Sequence, residues 1–308
     1  MAKWTASDIP DQTGTTVVIT GANSGLGLRS AEALAATGAR VLLACRNPTK
    51  AAAALVSVQA KASGPDPEVV ALDLSSLTSV AECVQHLATH VDHLDVLMNN
   101  AGIMAVPRSL TADGFESQLG TNHLGHFALT AGLLPLLLAA PAPRVVTVSS
   151  NAHRFGRMHF DDLFFEHSHY GRWSAYGQSK LANLLFSGEL QRRAVEARTA
   201  LTAAAAHPGY AATNLTSGAA MGAALLKPLF SIGDRLVGQA DHMGALPQLY
   251  AATMPDVMAD DYWGPDAFRE QRGHPTRVGR SARALDGEAA NRLWERSEQL
   301  TGVTYPWP

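Results

Sequence analysis

With 308 residues, 46% of them hydrophobic, and a formal charge of −3, the chain can bury a full core but has no basic surplus for nucleic acid or an anionic membrane surface. Two cysteines, Cys45 and Cys83, are too few for a disulfide framework, and both fall in apolar segments, which points to a reducing compartment. The first residues lack an apolar signal core, and the longest apolar stretch, around residues 133–142, is interrupted by Pro135 and too short to span a bilayer. The expectation is therefore a cytoplasmic protein with no membrane attachment.

Short β-branched or apolar runs alternate with longer helical patterns, which predicts a parallel sheet with helices on both faces, the doubly wound α/β class. Residues 15–20 read as the first strand. Gly21-Ala22-Asn23-Ser24-Gly25-Leu26-Gly27 follows and opens a helix near Gly25. Glycines at such a turn let backbone N–H groups approach a pyrophosphate at a helix N-terminus. Gly21, Ser24, Gly25, Leu26 and Gly27 are thus candidate cofactor contacts, although the first gap holds three residues where the usual dinucleotide fingerprint has one.

The second strand, 40–45, ends in Cys45 followed by Arg46. A carboxylate at this point would read a ribose 2′-hydroxyl, whereas an arginine suits a 2′-phosphate. The expected cofactor is NADP(H). A third strand at 68–72 leads into Asp73-Leu74-Ser75-Ser76, which carries helix-start chemistry. The fourth, at 94–98, leads into Asn99-Asn100-Ala101-Gly102. The helical stretch 113–139 is long, and Pro135 is expected to kink or end it. A fifth strand at 144–149 delivers Ser149 and Ser150, of which only one can face a given side of the sheet.

Between Ser150 and the next helix lie His153, His159, His167 and His169, without the cysteine or carboxylate partners of a zinc site; a polar loop is the reading, and no metal is expected. His123 and His126 flank Asn122 and read as packing or hydrogen-bonding groups in a helix interface. In the helix starting near Ser174, Tyr176 alone of six tyrosines has a lysine, Lys180, four residues on. That spacing places phenol and ammonium on one helix face. A sixth strand, 200–206, precedes Pro208-Gly209 and Thr213. Residues 215–237 are apolar and read equally as a lid over a lipophilic substrate or an oligomer contact. A helix at 241–252, a last strand at 257–263 and a helix at 286–300 complete one domain, 1–308, with a flap at about 210–240.

The ordered set Thr20-Gly21-Ala22-Asn23-Ser24-Gly25-Leu26-Gly27, Asn99-Asn100-Ala101-Gly102, Asn122, Ser150, Tyr176-x-x-x-Lys180 and Pro208-Gly209 resembles the short-chain dehydrogenase/reductase superfamily. Ala44-Cys45-Arg46-Asn47, Asn122-His123-Leu124-Gly125-His126-Phe127 and the long Ser150-to-Tyr176 interval resemble its retinol dehydrogenase-like branch. The resemblance implies Tyr176 as general acid or base and Lys180 on the nicotinamide ribose. It implies Ser150 on the substrate oxygen and Asn122 anchoring a water of the proton relay. Asn99, Asn100, Ala101 and Gly102 would line the cofactor cleft, with Asp73 and Leu74 at the adenine and Pro208, Gly209 and Thr213 near the carboxamide.

Coulomb's law supports the pairing of Tyr176 with Lys180. A cation about 4 Å away at an effective dielectric of 20 is worth roughly 4 kcal/mol, enough to lower a phenol by about three pKa units. The reading is an NADP(H)-dependent oxidoreductase interconverting a carbonyl and an alcohol, with a small, apolar substrate; a homo-oligomer is compatible with it. The alternative is a non-catalytic NADP(H)-binding sensor, which would need the glycine turn but not the four polar residues. An epimerase on a related fold also uses Tyr-x-x-x-Lys, and Asn99-Asn100-Ala101-Gly102 argues against it.

Overall fold

The structure, a computed structural model, describes residues 3–210 and 239–308. Thr213 and the apolar stretch 215–237 lie outside the described residues. The strands are β1 (Thr16–Thr20), β2 (Arg40–Cys45), β3 (Glu68–Ala71), β4 (Val96–Asn99), β5 (Arg144–Val148), β6 (Thr202–Ala206), β7 (Tyr262–Ala267) and β8 (Arg272–Arg277). They form one sheet in the order β3-β2-β1-β4-β5-β6-β7-β8, parallel except for β8. The register sets Val18 between Leu42 and Leu97, and Val146 between Met98 and Ala204.

The helices are α1 (Gly25–Ala36), α2 (Pro48–Gln59), α3 (Leu77–His90), α4 (Gly125–Ala139), α5 (Arg172–Glu196), α6 (Leu246–Thr253) and α7 (Gly287–Thr301), with shorter turns between them. Alternation along each strand splits the core in two. Val18, Leu42, Leu97 and Val145 pack with Leu87, Phe127, Leu133 and Leu134 on one face. Val17, Ile19, Leu43 and Val146 pack with Ala31, Leu34 and Leu249 on the other. Each such side chain contributes about 1.5–3 kcal/mol of burial, and strands covered on both faces read as unbroken apolar runs.

Helix starts follow their caps: Asn47 accepts the N–H of Lys50 at 2.9 Å, and Asp286 that of Ala289 at 3.0 Å. Aromatic contacts seal α7 and the chain end against the first core face. Phe127 meets Trp294 edge-on with ring centres 5.0 Å apart, and the Tyr305 hydroxyl donates to the Phe127 carbonyl at 2.9 Å.

Several expectations change. The last strand begins at Tyr262, five residues later than the predicted 257–263 segment, and is followed by β8, which the pattern did not reveal. Arg272–Arg277 is polar and contains Gly273 and Pro275, residues that a sheet edge tolerates and a central strand does not. The predicted 113–139 helix is a short turn, Ser117–Leu119, a π-helical turn, Gly120–Leu124, and then α4. Pro135 neither ends nor divides α4, which continues to Ala139; the missing N–H costs one bond in a helix buried against the sheet. Taken together, Ser117–Ala139 is 23 residues and apolar enough by length and composition to cross a membrane, contrary to the sequence reading, but 72% of its most apolar 18-residue window is buried within the fold.

Because β1 lies between β2 and β4, chain connections leave its carboxyl end in opposite directions. A crevice opens there, and it is where open parallel sheets bind ligands.

Candidate active site

The crevice is a cleft of about 470 Å³. Of the predicted cofactor residues, Gly21, Ser24, Gly25, Leu26, Gly27, Arg46, Asp73, Leu74, Asn100, Ala101 and Gly102 line it. Gly21 and Gly25 adopt φ of +67° and +53°, where other residues are strained. A Cβ on Gly27 would lie 2.5 Å from the Gly21 carbonyl oxygen and 2.6 Å from Asn100 Nδ2, so the turn closes only with glycine. Ser24, at the N-cap of α1, makes no side-chain cap bond. The leading N–H groups of α1 therefore have no cap of their own and face a concavity, a donor set that fits a pyrophosphate.

At the adenosine end, Arg46 is exposed, with its guanidinium 3.7 Å from Asp73 Oδ1. The same Asp73 oxygen accepts from the Ser75 N–H at 3.0 Å and hydroxyl at 2.6 Å. The sequence reading did not single out Asn23, Asn47, Lys50, Ile103, Met104 and Thr121, which also line the cleft. For Asn47 and Lys50 a signal existed: Asn47-Pro48-Thr49-Lys50 is a helix start that must stand at the end of β2.

Asn99 departs from its expected place. Its side chain is fully buried and donates to Thr130 Oγ1 at 3.0 Å, so it braces β4 against α4 and does not line the cleft. The alternation of strand side chains turns it away from the crevice that Asn100 and Gly102 face. Pro208 and Gly209 stand beyond β6, outside the cleft wall: the Pro208 carbonyl accepts from Gln239 Nε2 at 2.6 Å, and Gly209 has φ +68°.

Gly102 joins the cleft to the four polar residues. A Cβ there would come within 3.1 Å of Asn122 Oδ1 and 3.4 Å of Lys180 Nζ. Asn122 is fully buried in the π-helical turn. Its Oδ1 accepts the Ile103 N–H at 2.8 Å, and its Nδ2 donates to the Ile103 carbonyl and to Ser179 Oγ, both at 2.9 Å. Tyr176 and Lys180 share the buried face of α5, with the ammonium 5.8 Å from the phenol ring centre. Lys180 Nζ donates to the Val148 carbonyl at 3.1 Å, beside the Asn183 amide at 3.0 Å.

Strand alternation decides between the adjacent serines. Ser149 is buried and donates to the Lys180 main-chain carbonyl at 2.7 Å. Ser150, at the end of β5, stands on the phenol side and draws the Tyr176 hydroxyl's pKa down. Among the intervening histidines, His153 is buried, with Nδ1 2.7 Å from the Ser150 carbonyl.

The electrostatics differ from the sequence expectation. Burial pushes the Tyr176 phenol up to about 12, and only Ser150 pulls it down. Burial also lowers Lys180 to about 8. The ammonium aims at the Val148 carbonyl, and within the protein's own groups desolvation sets the phenol's shift.

The sequence model of the family described as short chain dehydrogenase matches residues 15–222. The chain is a short-chain dehydrogenase. It is 40% identical to human retinol dehydrogenase 14 over 305 residues, covering 94% of this chain and 87% of that protein. Among solved structures, an uncharacterized protein from Mycobacterium paratuberculosis superposes with a TM-score of 0.82 at 47% identity, covering 99% of this chain and all of that one. The Pseudomonas aeruginosa RhlG/NADP active-site complex superposes with a TM-score of 0.63 at 25% identity, covering 81% of this chain and 94% of that one. As a retinol dehydrogenase-like short-chain dehydrogenase the protein is an oxidoreductase, of a family that binds a nicotinamide cofactor and acts on small molecules.

Proposed function

We propose that this oxidoreductase uses NADP(H) to interconvert an apolar carbonyl compound and its alcohol, with Tyr176 as the proton donor and acceptor. The observation that carries this reading is the buried Tyr176–Lys180 pair, with Ser150 against the phenol and Lys180 Nζ beside Gly102 at the end of the glycine-lined cleft. When bound, the nicotinamide supplies or accepts the hydride. Ser150 and Tyr176 hold the substrate oxygen between two hydroxyls. The phenol, raised by burial, is protonated at neutral pH and delivers its proton as the oxygen becomes an alkoxide. Lys180 binds the nicotinamide ribose and replaces the phenol's proton through the Asn122 turn.

Arg46, just beyond β2, and Lys50, in the first turn of α2, both line the cleft and, with Cys45 where a ribose-reading carboxylate would stand, support NADP(H) over NAD(H). RhlG, a structural neighbour, is complexed with NADP. An apolar substrate is supported by the exposed Phe155, Trp173 and Tyr210, carried on the segments that follow Ser150, precede Tyr176 and follow Gly209. Retinol dehydrogenases, to which the chain is similar, are named for retinol.

The test is NADPH oxidation across a panel of ketones and aldehydes that includes retinal, with NADH and Tyr176→Phe alongside. Turnover with NADPH that disappears in the variant supports the reading; equal efficiency with NADH overturns the cofactor assignment. NADPH binding with no turnover of any substrate would favour a sensor.

A further inference from the structure

His126, in the first turn of α4, is fully buried and uses both ring nitrogens. Nε2 lies 2.9 Å from Thr20 Oγ1, and Nδ1 lies 3.0 Å from the main-chain carbonyl of Asn122. The proton positions follow from counting. Thr20 Oγ1 already accepts the N–H groups of Asn100 and Ala101, each at 2.9 Å. Its two lone pairs are thereby used, and its own proton goes to Nε2 or to the Met98 carbonyl, which is farther away at 3.3 Å. The Asn122 carbonyl is an acceptor only, so Nδ1 must carry the ring proton. One neutral tautomer satisfies every group: Asn100 and Ala101 donate to Thr20, Thr20 to His126, and His126 to Asn122.

This bridge joins three segments of the site. Thr20 ends β1 directly before the glycine turn, Asn100 and Ala101 form the cleft floor, and Asn122 belongs to the π-helical turn beside Lys180. A π-helical turn lacks the regular bonding of its flanks, so a side-chain donor to the Asn122 carbonyl restrains it where the backbone does less. We infer that His126 is a positioning residue that locks the Asn122 turn to the cofactor floor through a single-tautomer hydrogen-bond bridge. This inference rests on the function proposed above. Burial keeps the ring neutral, lowering it to about 4, and the nearby Lys180 ammonium acts in the same direction. His123, the adjacent buried imidazole, faces away to Ser297 Oγ at 2.9 Å and takes no part.

The bridge is tested first without turnover. Nitrogen-15 NMR of the ring, assigned by the signals lost in His126→Asn, should show the Nδ1–H tautomer with no titration between pH 5 and 8. An Nε2–H tautomer, or titration in that range, overturns the inference. Kinetics then separate positioning from packing. His126→Phe keeps an aromatic ring and removes both bonds, and is expected to lower kcat at least tenfold with NADPH. His126→Asn places an amide donor where Nδ1–H stood, and should recover most of that loss. Equal loss of kcat in both variants, in step with equal loss of melting temperature, would mean a packing role only and would overturn it. So would unchanged kcat in His126→Phe. If wild-type protein reduces nothing, or Tyr176→Phe remains active, the proposed function fails on its own, and the NMR result still decides the bridge.

Discussion

Ser149 and Lys180 are bound to each other's strand and helix in opposite senses: the Ser149 hydroxyl donates to the Lys180 main-chain carbonyl at 2.7 Å, and the Lys180 ammonium returns to the carbonyl of Val148 at 3.1 Å. The pair of bonds pins α5 to the end of β5 and leaves Ser150 alone in front of the Tyr176 phenol.

It follows that the two serines separate by assay. Ser149→Ala should cost about 1 kcal/mol of stability, the net value of a buried hydrogen bond, and leave turnover within a few-fold. Ser150→Ala should lower kcat/KM by about a hundredfold or more with little change in melting temperature. Steady-state kinetics and thermal melts of both variants check this, and loss of activity in Ser149→Ala alone would reverse the assignment.

Lys180 should be a stability cost retained for function. Its folded pKa of about 8 lies below the ordinary 10.5, so the unfolded chain binds more protons between those values. Stability therefore rises as pH increases from 8 to 10.5, and the cost is fully present below 8. Lys180→Met should unfold at higher denaturant than wild type at pH 7, by an amount on the order of 3 kcal/mol. The gain should shrink towards pH 10.5, and activity should be lost throughout. Urea titrations at pH 7 and pH 10 measure it.

Glu270 ties the turn between β7 and β8 to the segments after Ser150 and β6. It pairs with Arg154 at 2.9 Å and faces His207 Nε2 at 3.4 Å. His207 and then Arg154 hold its carboxyl at about 2, below the ordinary 4.5. A depressed carboxylate contributes above its unfolded pKa, so this stabilisation is complete above pH 4.5 and is lost as pH falls towards 2. Glu270→Gln should cost about 1 kcal/mol at pH 7, as expected of a partly exposed pair, and progressively less below pH 4.5. A difference from wild type that stays constant down to pH 3 would contradict this.

Arg46 is exposed, and its only ion pair among the described residues is the 3.7 Å contact with Asp73. Arg46→Ala should thus leave the melting temperature almost unchanged. It should raise the KM for NADPH about tenfold or more and leave that for NADH within twofold. A parallel change with both cofactors would remove Arg46 from recognition of the 2′-phosphate.

The amino-acid sequence by itself determined whatever short-range spacing encodes. Apolar runs between helical patterns specify a parallel sheet, glycines at 21, 25 and 27 specify a turn that only glycine can close, and an offset of four from Tyr176 to Lys180 places them on one helix face. Tertiary structure decided what depends on residues far apart in the chain. β8 carries no apolar signal because it is an edge strand, so only its pairing with β7 reveals it. Asn99 turns from cleft to core because Thr130 meets it from α4, 31 residues away. The phenol of Tyr176 rises although a lysine lies one helical turn on, because burial is set by the whole fold and removes water from both groups. His126 meets Thr20 across 106 residues. Periodicity records which face a residue occupies, but hydrogen-bond partners and desolvation arise from packing between elements, and no local pattern contains them.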